Sequence, residues 1–514
     1  MNGAESLVRT LIASGVRVCF SNPGTSEMHF VAALDKVEGM RCVLGLFEGV
    51  VTGAADGYFR MTGTPAATLL HLGPGLANGL ANLHNAKKAR SGIVNVVGEH
   101  AAYHIRHDAP LTSDIEGVAR PMSHWVRTSR SAAEVGADGA RAVEAARAAP
   151  GQIATLILPA DTAWAEGGVP VTAQARSAPT KVASAAVDAA ATALRQPGAA
   201  LLLGGIGVRN PALEWAGRIA AKTGCALLSE YNSARTERGA GRVVAPRVPY
   251  SVDLAIKTLD GFRTLVLAGA KPPVSFFAYP GKPSLLAPED CRFVPLAGVE
   301  EDVADGLEAL ADALGARNTP PAYVAELATG ETPSGPVSLD GIARTVAALL
   351  PENAIVVDES VSSGRGFTPL TVNARPHDWL AVMGGSIGFG LPTAVGAALG
   401  APDRKVVSLE GDGSAMYTLQ SLWTMAREGL DVTVIVFANR AYNILKGELA
   451  SVGAGMPGRR ANDMLTLDRP ALDWRAIARG HGVDSGRATT LDELAAELRR
   501  GIAADGPYLI ELAI

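Results

Sequence analysis

The segment 405–440 constrains the fold of this chain more strongly than any other. An apolar, β-branched run at 405–409 is followed by the sequence EGDGS at 410–414, a helical pattern at 419–429 and a second apolar run at 432–437. Strand, helix and strand at this spacing predict a βαβ unit, because two neighbouring parallel strands need a crossover connection. The two strands are therefore expected to lie side by side in one parallel sheet.

Two oxygen-bearing side chains follow the carboxyl ends of these strands. Asp412 follows the first strand and Asn439 the second, at the edge where open α/β sheets bind ligands. A carboxylate and an amide oxygen suit Mg²⁺, which often bridges to a phosphate. Gly411 and Gly413 allow a diphosphate to approach the backbone, and the helix that begins near Ser414 offers free N–H groups. The alternative interpretation is a strand-to-helix turn in which Asp412 only caps the helix.

The sequence distance between Asp412 and Asn439 resembles the thiamine diphosphate motif of the family that includes benzoylformate decarboxylase, pyruvate decarboxylase and acetolactate synthase. In that family the aspartate, the asparagine and a backbone carbonyl two residues further on hold Mg²⁺ against the diphosphate. The resemblance implies Asp412, Asn439 and Ala441 as metal ligands here. The chain departs from the family at Ala438, where a second asparagine is common.

Length and composition predict a multidomain protein with neither nucleic-acid nor membrane partners. A chain of 514 residues is too long for one core, so about two to four domains are expected. The net charge of −5 gives no basic footprint for nucleic acid. No apolar run predicts a membrane span, and the N-terminus has no signal-peptide pattern. Four scattered cysteines argue against zinc or a disulfide framework and predict a reducing, cytoplasmic compartment.

Alternating strand and helix patterns predict an α/β protein with three doubly wound parallel-sheet domains. Polar stretches rich in glycine, proline and small residues at 166–181 and 317–336 are interpreted as linkers. They delimit domains at 1–165, 182–316 and 337–514. The resemblance implies that these are the pyrimidine-binding, central and diphosphate-binding domains of the family.

The predicted elements of the first domain end at several polar residues. They are a helix at 4–14 and strands at 16–20, 41–47, 66–70, 93–98 and 153–158. Glu48 and His71 directly follow two of these strands. Both are therefore expected at the carboxyl edge of the first sheet.

Glu48 is the first candidate for catalysis. Its apolar neighbours favour a neutral carboxyl group, which suits proton transfer. A carboxylate that stabilises a helix N-terminus is the alternative. The sequences LFEG at 46–49 and AADGYFRMTG at 54–63 resemble the family's glutamate-centred segment. The resemblance implies that Glu48 hydrogen-bonds N1′ of the aminopyrimidine and promotes the imino tautomer, which deprotonates C2 of the thiazolium to give the nucleophilic ylid.

Two glycine- and serine-rich segments also resemble the cofactor site of the family. The sequence GGSIGFGLP at 384–392 resembles the stretch that bends the cofactor into its V shape. This implies Ile387 as the wedge under the two rings and the Gly385 carbonyl as an acceptor for the 4′-amine, whereas the alternative is a glycine-rich loop before a helix. The sequence DESVSSG at 358–364 follows a predicted strand and suits diphosphate binding, with Ser362 the best positional match.

On the substrate side the nearest resemblance is to benzoylformate decarboxylase. The sequence FSNPGTSE at 20–27 matches a segment in which that enzyme has a serine at the position of Thr25, and His71 matches one of its two active-site histidines. The resemblance implies that both contact the substrate; the alternatives are a turn hydroxyl and a histidine bonded to backbone. The second histidine has no counterpart in the corresponding stretch at 272–279.

Three further features have open interpretations. Glu448 falls where the family places a side chain of the substrate pocket. An acid there disfavours a purely aromatic substrate. The alternative is that Glu448 is only a solvated helix residue. The histidine-rich stretch at 99–107 is typical of metal sites in composition, yet is interpreted as loop residues near the pocket mouth. The sequence GGIG at 204–207 is a weak nucleotide-loop signal. FAD, which acetolactate synthases carry in this domain, is not expected because the rest of the flavin-contacting pattern is not found.

The resemblance as a whole implies a thiamine diphosphate- and Mg²⁺-dependent enzyme that acts on 2-oxo acids. The predicted function is decarboxylation through a C2 ylid and an enamine that is protonated to release an aldehyde. One alternative is a carboligase of the acetolactate synthase type, favoured by Gly73-Pro74-Gly75, and another is a catalytically silent relative. In the family the first and third domains of different subunits meet, so Glu48 would face Asp412 of the partner subunit. This implies at least a homodimer, with a homotetramer as a dimer of dimers.

Overall fold

Three sheets built mainly from parallel strands organise the chain in the computed structural model, which describes residues 1–328 and 330–514. Helices connect most of the strands, which confirms the predicted α/β class. Thr329, within the predicted second linker, lies outside the described residues. None of the helices of the described ranges is both long and apolar enough to cross a membrane.

The first sheet has six parallel strands, of which the central ones are buried along their whole length. The strands are β1 (Val18–Asn22), β2 (Arg41–Leu44), β3 (Ala66–Leu70), β4 (Ile93–Glu99), β5 (Trp125–Thr128) and β6 (Ile153–Pro159), in the order β2-β1-β3-β4-β6-β5. The helices are α1 (Gly3–Ala13), α2 (Met28–Lys36), α3 (Glu48–Thr62), α4 (Leu72–Ala89), α5 (Ala102–Ile105), α6 (Ile115–Ala119), α7 (Ala132–Arg147) and α8 (Ala160–Trp164). Burial on both faces explains why β3, β4 and β6 are mostly apolar along their whole length.

The second sheet is smaller and entirely parallel. Its part of the chain contains the strands β7 (Ala199–Leu203), β8 (Ala226–Ser229), β9 (Thr236–Arg238), β10 (Thr264–Ala268) and β11 (Arg292–Ala297). The helices are α9 (Ser184–Leu194), α10 (Ala212–Thr223), α11 (Val252–Leu259) and α12 (Val303–Ala313). The sheet order is β11-β10-β7-β8, so β9 belongs elsewhere.

The third sheet has seven strands and contains the segment that opened the sequence argument. Its strands are β12 (Ala354–Glu359), β13 (His377–Ala381), β14 (Val406–Gly411), β15 (Val432–Ala438), β16 (Asp484–Ala488) and β17 (Tyr508–Ala513), in the order β16-β17-β15-β14-β12-β13-β9. The helices are α13 (Leu339–Leu349), α14 (Phe367–Leu370), α15 (Gly390–Gly400), α16 (Asp412–Ala415), α17 (Ser421–Glu428), α18 (Asn443–Ser451), α19 (Arg459–Leu465), α20 (Trp474–Gly480) and α21 (Leu491–Ala503).

Strand β9 pairs antiparallel with β13 at the edge of the third sheet, although it comes from the middle of the chain. Asp378 on β13 strengthens this connection, because its carboxylate binds the guanidinium groups of Arg235 at 2.8 Å and Arg404 at 2.6 Å. The pairing is an exception to the predicted all-parallel sheets. The domain boundaries derived from the sequence stay predictions.

Helices α3 and α15 join the first and third units through direct backbone contact. A Cβ atom on Gly57 would lie 2.2 Å from the Thr393 carbonyl oxygen, and one on Gly396 would lie 1.9 Å from the Ala54 carbonyl oxygen. Only glycine permits so close an approach. The small-residue composition of both helices therefore follows from their packing, and it fixes the first unit against the third.

Candidate active site

A cavity of about 1280 Å³ opens between the central unit and the carboxyl edge of the third sheet. Its walls include central-unit residues, most of them between Ser229 and Lys282. All nine residues predicted to bind the cofactor line it: Ser362, Gly385, Ile387, Gly411, Asp412, Gly413, Ser414, Asn439 and Ala441. Residues from four separate segments of the sequence thus meet in one place.

Asp412 and Asn439 follow strands β14 and β15, which are neighbours in parallel register. The Arg440 N–H donates to Asp412 Oδ2 at 2.6 Å, and the Gly413 N–H donates to Oδ1 at 2.9 Å. Asn439 Oδ1 accepts from the Ala441 N–H at 2.9 Å. Burial raises the pKa of Asp412 to about 6. These oxygen atoms keep free lone pairs, so the donor set suits a hard divalent cation.

Left-handed backbone at non-glycine residues marks the same segments. Val361 has φ of 49° beside Ser362, Arg440 has φ of 55° beside Asn439, and Leu72 has φ of 48° beside His71. A β-branched residue such as valine is rarely found there, and such strain concentrates at functional sites. The backbone therefore supports a special role for these segments independently of side-chain type.

Glu359, which the sequence interpretation did not single out, supports the loop that carries Gly385 and Ile387, and Glu410, also not singled out, lies beside it. Glu359 is the last residue of β12, Glu410 is the next-to-last residue of β14, and the two are register partners. Glu359 accepts from the N–H groups of Gly388, Phe389 and Gly390 at 2.9, 3.1 and 2.8 Å. Burial raises the pKa of Glu359 to about 7. Burial and the charge of Glu359 also raise the pKa of Glu410 well above its ordinary value. Two acids at the ends of neighbouring predicted strands were the available sequence signal.

Glu48 and His71 lie close together in the first unit. Asn78 donates to Glu48 Oε2 at 3.0 Å, and a Cβ atom on Gly75 would lie 2.9 Å from Glu48 Oε1 and 3.2 Å from His71 Cβ. His71 Nδ1 lies 2.8 Å from Glu27 Oε2. Burial raises the pKa of Glu27, which the contact with His71 partly offsets. Glu27 and Asn78 were missed because their partners are distant in sequence.

The first-unit residues do not reach the large cavity within one chain. Glu48, His71 and Thr25 are absent from its lining. Thr25 starts a 3₁₀ turn, Thr25–Glu27, and is exposed. The predicted site residues therefore form two groups in a single chain, one in the first unit and one in the cavity.

Helix α4 contacts both groups. Asn78 holds Glu48, while Asn82 donates to the Gly388 carbonyl at 3.1 Å and Asn85 donates to the Ser386 carbonyl at 2.8 Å. The loop that lines the cavity is thus tied to the first unit through asparagine side chains. These asparagines resemble ordinary helix residues in the sequence, so no local signal identified them.

Family models match both ends of the chain. The model of the N-terminal TPP binding domain of thiamine pyrophosphate enzymes matches residues 1–118, and that of the C-terminal TPP binding domain matches residues 366–512. The chain belongs to the thiamine pyrophosphate enzyme family. This confirms the family predicted from the sequence and supports thiamine diphosphate, another name for thiamine pyrophosphate, as its cofactor.

Two relatives that align over nearly the full chain indicate the group of thiamine diphosphate enzymes to which it belongs. A Mycobacterium tuberculosis protein provisionally named acetolactate synthase large subunit IlvX is 52% identical over 100% of this chain and 99% of its own length. Benzoylformate decarboxylase of Pseudomonas aeruginosa is 31% identical over 97% of this chain and 96% of its own. The protein is therefore an enzyme of the group that includes decarboxylases and acetolactate synthases.

A solved structure confirms the three-unit fold. Thiamine diphosphate-dependent 4-hydroxybenzoylformate decarboxylase of Rhodococcus jostii RHA1 has a TM-score of 0.85 and 24% identity, covering 99% of this chain and 98% of that chain. At this identity the likeness concerns the fold alone.

The residues present fit a diphosphate cofactor with a metal ion. Gly413 has no room for a Cβ atom, which would lie 2.5 Å from the Tyr442 ring, and Gly385 has φ of 74°. Together with the carboxylate and amide oxygens, these glycines form a polar cradle without side chains in the way. This is the chemistry that a metal-bound diphosphate requires.

The remaining candidates from the sequence lie in two places. Glu448 on α18 lines the cavity, where it accepts from Tyr279. His100, His104 and His107 form a separate row, with ring centroids 5.4 and 5.8 Å apart, that does not line the cavity. Over residues 1–328 and 330–514, no three histidine, cysteine or acidic side chains converge as a metal site.

Proposed function

We propose that the protein is a thiamine diphosphate- and Mg²⁺-dependent decarboxylase of 2-oxo acids, related in its chemistry to benzoylformate decarboxylase. The observation that carries the proposal is the single cavity lined by all nine residues expected to hold the cofactor. The 31% identity to benzoylformate decarboxylase over nearly the full chain supports it.

In this proposal the third unit holds the cofactor. Asp412, Asn439 and the Ala441 carbonyl bind Mg²⁺. Ser362, Gly411, Gly413 and Ser414 contact the diphosphate, while Ile387 and the Gly385 carbonyl contact the rings. When bound, thiamine diphosphate supplies the carbon nucleophile and the electron sink for loss of CO₂.

The first unit supplies proton transfer and substrate contacts. Glu48, oriented by Asn78, exchanges a proton with the aminopyrimidine nitrogen. His71 delivers a proton to the reacting carbon, and Glu27 fixes the orientation of its ring through Nδ1. Thr25 hydrogen-bonds the substrate carboxylate or carbonyl.

A second copy of the chain is part of the proposal. Since Glu48 and the cavity are separate within one chain, Glu48 of the partner subunit completes the site. The assembly is therefore a homodimer at least, and a homotetramer would pair two such dimers. The cytoplasmic location stays a prediction that rests on the cysteine pattern.

A carboligase is the second candidate, and it is favoured by the 52% identity to the protein provisionally named acetolactate synthase large subunit. The two candidates share every step up to the loss of CO₂. They differ in whether a proton or a second carbonyl compound then reacts at the same carbon.

Product analysis with thiamine diphosphate and Mg²⁺ tests the proposal. A panel of 2-oxo acids would include pyruvate, benzoylformate and branched, cationic and acidic members, with CO₂ measured and products identified by mass spectrometry. CO₂ with a free aldehyde is the expected result. CO₂ with a hydroxyketone would move the protein to the carboligases. No CO₂ from any member, with the cofactor demonstrably bound, would overturn both.

A further inference from the structure

An aromatic wall lines the part of the cavity that the central unit contributes. Tyr231 and Tyr250 have ring centroids 5.3 Å apart, Tyr250 and Phe276 are 5.7 Å apart, and Phe276 and Phe277 are 4.9 Å apart. Phe276 and Phe277 are about half exposed even though they are large apolar residues. Their exposed faces therefore border the cavity rather than the core.

A carboxylate lies among these rings. Glu448 accepts a hydrogen bond from the Tyr279 hydroxyl at 2.9 Å and from the Tyr250 hydroxyl at 3.3 Å. Burial raises the pKa of both tyrosines, with the charge of Glu448 as a further cause, so both hydroxyls stay protonated donors. Two accepted bonds leave a carboxylate with free lone pairs.

The negative charge of Glu448 has no cationic partner in the described parts of the chain, where its contacts are the two hydroxyls. Four of the five basic side chains that line the same cavity have other contacts, and the fifth, Arg365, is exposed. Lys282 pairs with Asp253 at 2.7 Å, Arg242 pairs with Glu237 at 3.5 Å, Arg247 stacks on Tyr231 at 5.2 Å, and Arg238 stacks on Trp379 at 5.0 Å. No cationic side chain of the described residues contacts Glu448, so its charge is available to a cationic ligand.

The wall connects Glu448 to the loop that faces the proposed cofactor position. The Phe276 ring lies directly against Gly385, where a Cβ atom would be 2.6 Å from Cζ. The path from Gly385 through Phe276 and Tyr250 to Glu448 is therefore continuous. A substrate that reacts near Gly385 can extend its distal end along this wall to Glu448.

We infer that the enzyme selects 2-oxo acids whose distal end is cationic, an ammonium or a guanidinium group. The inference rests on the proposed function. Glu448 would accept a charge-assisted hydrogen bond from the cation, while the faces of Tyr250, Phe276 and Tyr279 attract it through their π electrons. An anionic distal group would meet repulsion from Glu448, and a neutral alkyl chain would leave the carboxylate without a cationic partner.

Steady-state kinetics of the holoenzyme on matched substrates tests the selection. The set is 2-oxo-5-guanidinopentanoate (cationic), 2-oxoheptanoate (neutral) and 2-oxoadipate (anionic). The cationic acid is expected to have the highest kcat/KM, by about tenfold or more, as one charge-assisted hydrogen bond provides. Glu448→Gln should lower kcat/KM for the cationic acid by about tenfold and change that for the neutral acid little.

Two further variants separate recognition from folding. Glu497→Gln is the matched control, because Glu497 also accepts from a tyrosine, Tyr508, but lies outside the cavity. It should leave the substrate preference unchanged. Tyr279→Phe removes one hydroxyl donor while keeping the ring, and should change kcat/KM for the cationic acid alone. A neutral or anionic acid as the best substrate, with no effect of Glu448→Gln on the cationic acid, would overturn the inference.

Calorimetric titration with 5-guanidinopentanoate, which lacks the 2-oxo group and cannot react, gives a readout independent of turnover. It is expected to bind the holoenzyme about tenfold more tightly than hexanoate, and to lose this advantage in Glu448→Gln. Binding with this pattern but no CO₂ from any acid would overturn the proposed function and support the cationic pocket. Turnover of neutral acids with no preference for the guanidinium ligand would support the proposed function and overturn the cationic pocket.

Discussion

At the scale of single residues, the clearest functional signal is a buried carboxylate at a strand end. Burial raises the pKa of Asp412 to about 6, which means that the protein alone disfavours its charged form. A bound divalent cation would favour that charged form. Asp412 could be proposed from the sequence because a strand, two glycines and a distant asparagine surround it. Glu27 could not, because its partner His71 lies far away in the sequence.

Replacement of Asp412 should make the binding of thiamine diphosphate less dependent on Mg²⁺. Asp412→Asn is expected to weaken Mg²⁺-dependent binding of thiamine diphosphate by about 100-fold, because a neutral amide replaces the charged ligand. The measurement is a fluorescence titration with thiamine diphosphate with and without Mg²⁺. Asp473→Asn, which changes the N-cap of α20 outside the cavity, is the control. Unchanged affinity in Asp412→Asn would contradict the metal assignment.

Replacement of Glu48 should affect turnover rather than binding. Glu48→Gln keeps the shape and the contact with Asn78 but cannot exchange a proton, so kcat is expected to fall by about 10² to 10⁴. Cofactor affinity, measured by the same titration, should change little. Asn78→Ala should give a smaller loss in kcat. If Glu48→Gln retained full kcat, Glu48 would have no role in proton transfer.

At the scale of helices and strands, apolar runs predicted part of the buried strands, among them β3, β4, β6, β14 and β15, but missed β13 and β17, which are also buried. The strand predicted at 66–70 is β3, while β2 ends at Leu44 rather than at residue 47. The Gly45 N–H still bonds to β1, and the chain then extends through Phe47 into α3. Strands β5 and β9 were not predicted, because both are short and half-buried and have no continuous apolar run.

Strand β13 carries a histidine that should make stability depend on pH. Burial, with the nearby charge of Arg238 as a second cause, lowers the pKa of His377 to about 4, from an ordinary value near 6.5. The unfolded chain therefore binds more protons between these values. The stabilisation is present above about pH 6.5 and is lost as the pH falls toward 4, to a total of at most about 3 kcal/mol.

Thermal unfolding at pH 7 and pH 5 checks this dependence. The wild-type midpoint should be lower at pH 5, and His377→Phe should reduce the difference between the two midpoints. Nε2 of His377 is buried without a hydrogen-bond partner, so an apolar ring is tolerated at that end. His29→Phe, at an exposed histidine, is the control. Equal pH dependence in wild type and His377→Phe would show that other groups govern it.

At the scale of the whole molecule, one chain holds two incomplete groups of site residues. Glu48 and His71 lie in the first unit, and Asp412 lies in the cavity at the third sheet. The packing of α3 against α15 fixes these units through backbone contacts, so the two groups cannot simply swing together. In the proposed function a second copy supplies the missing half, in a symmetric dimer with two sites.

Complementation between inactive variants tests this arrangement. Glu48→Gln and Asp412→Ala should each be inactive, but mixed dimers formed on co-expression have one site with both wild-type residues. Random assembly should restore about one quarter of wild-type activity, because about half of the dimers are mixed and each has one intact site of two. The same two variants, purified separately and kept from exchanging subunits, should show no recovery of activity. No recovery in mixed dimers would place Glu48 and Asp412 of a working site on the same chain.

The sequence by itself determined the α/β class, the family and nine of the residues that line the cavity. These depend on local apolar periodicity and on short motifs at strand ends. Only the tertiary structure decided which distant side chains support them. The pairing of Glu27 with His71, the ties from α4 to the 384–388 loop and the tyrosines around Glu448 all join residues far apart in the chain. Such contacts are set by packing between units, which leaves no periodic pattern in the sequence.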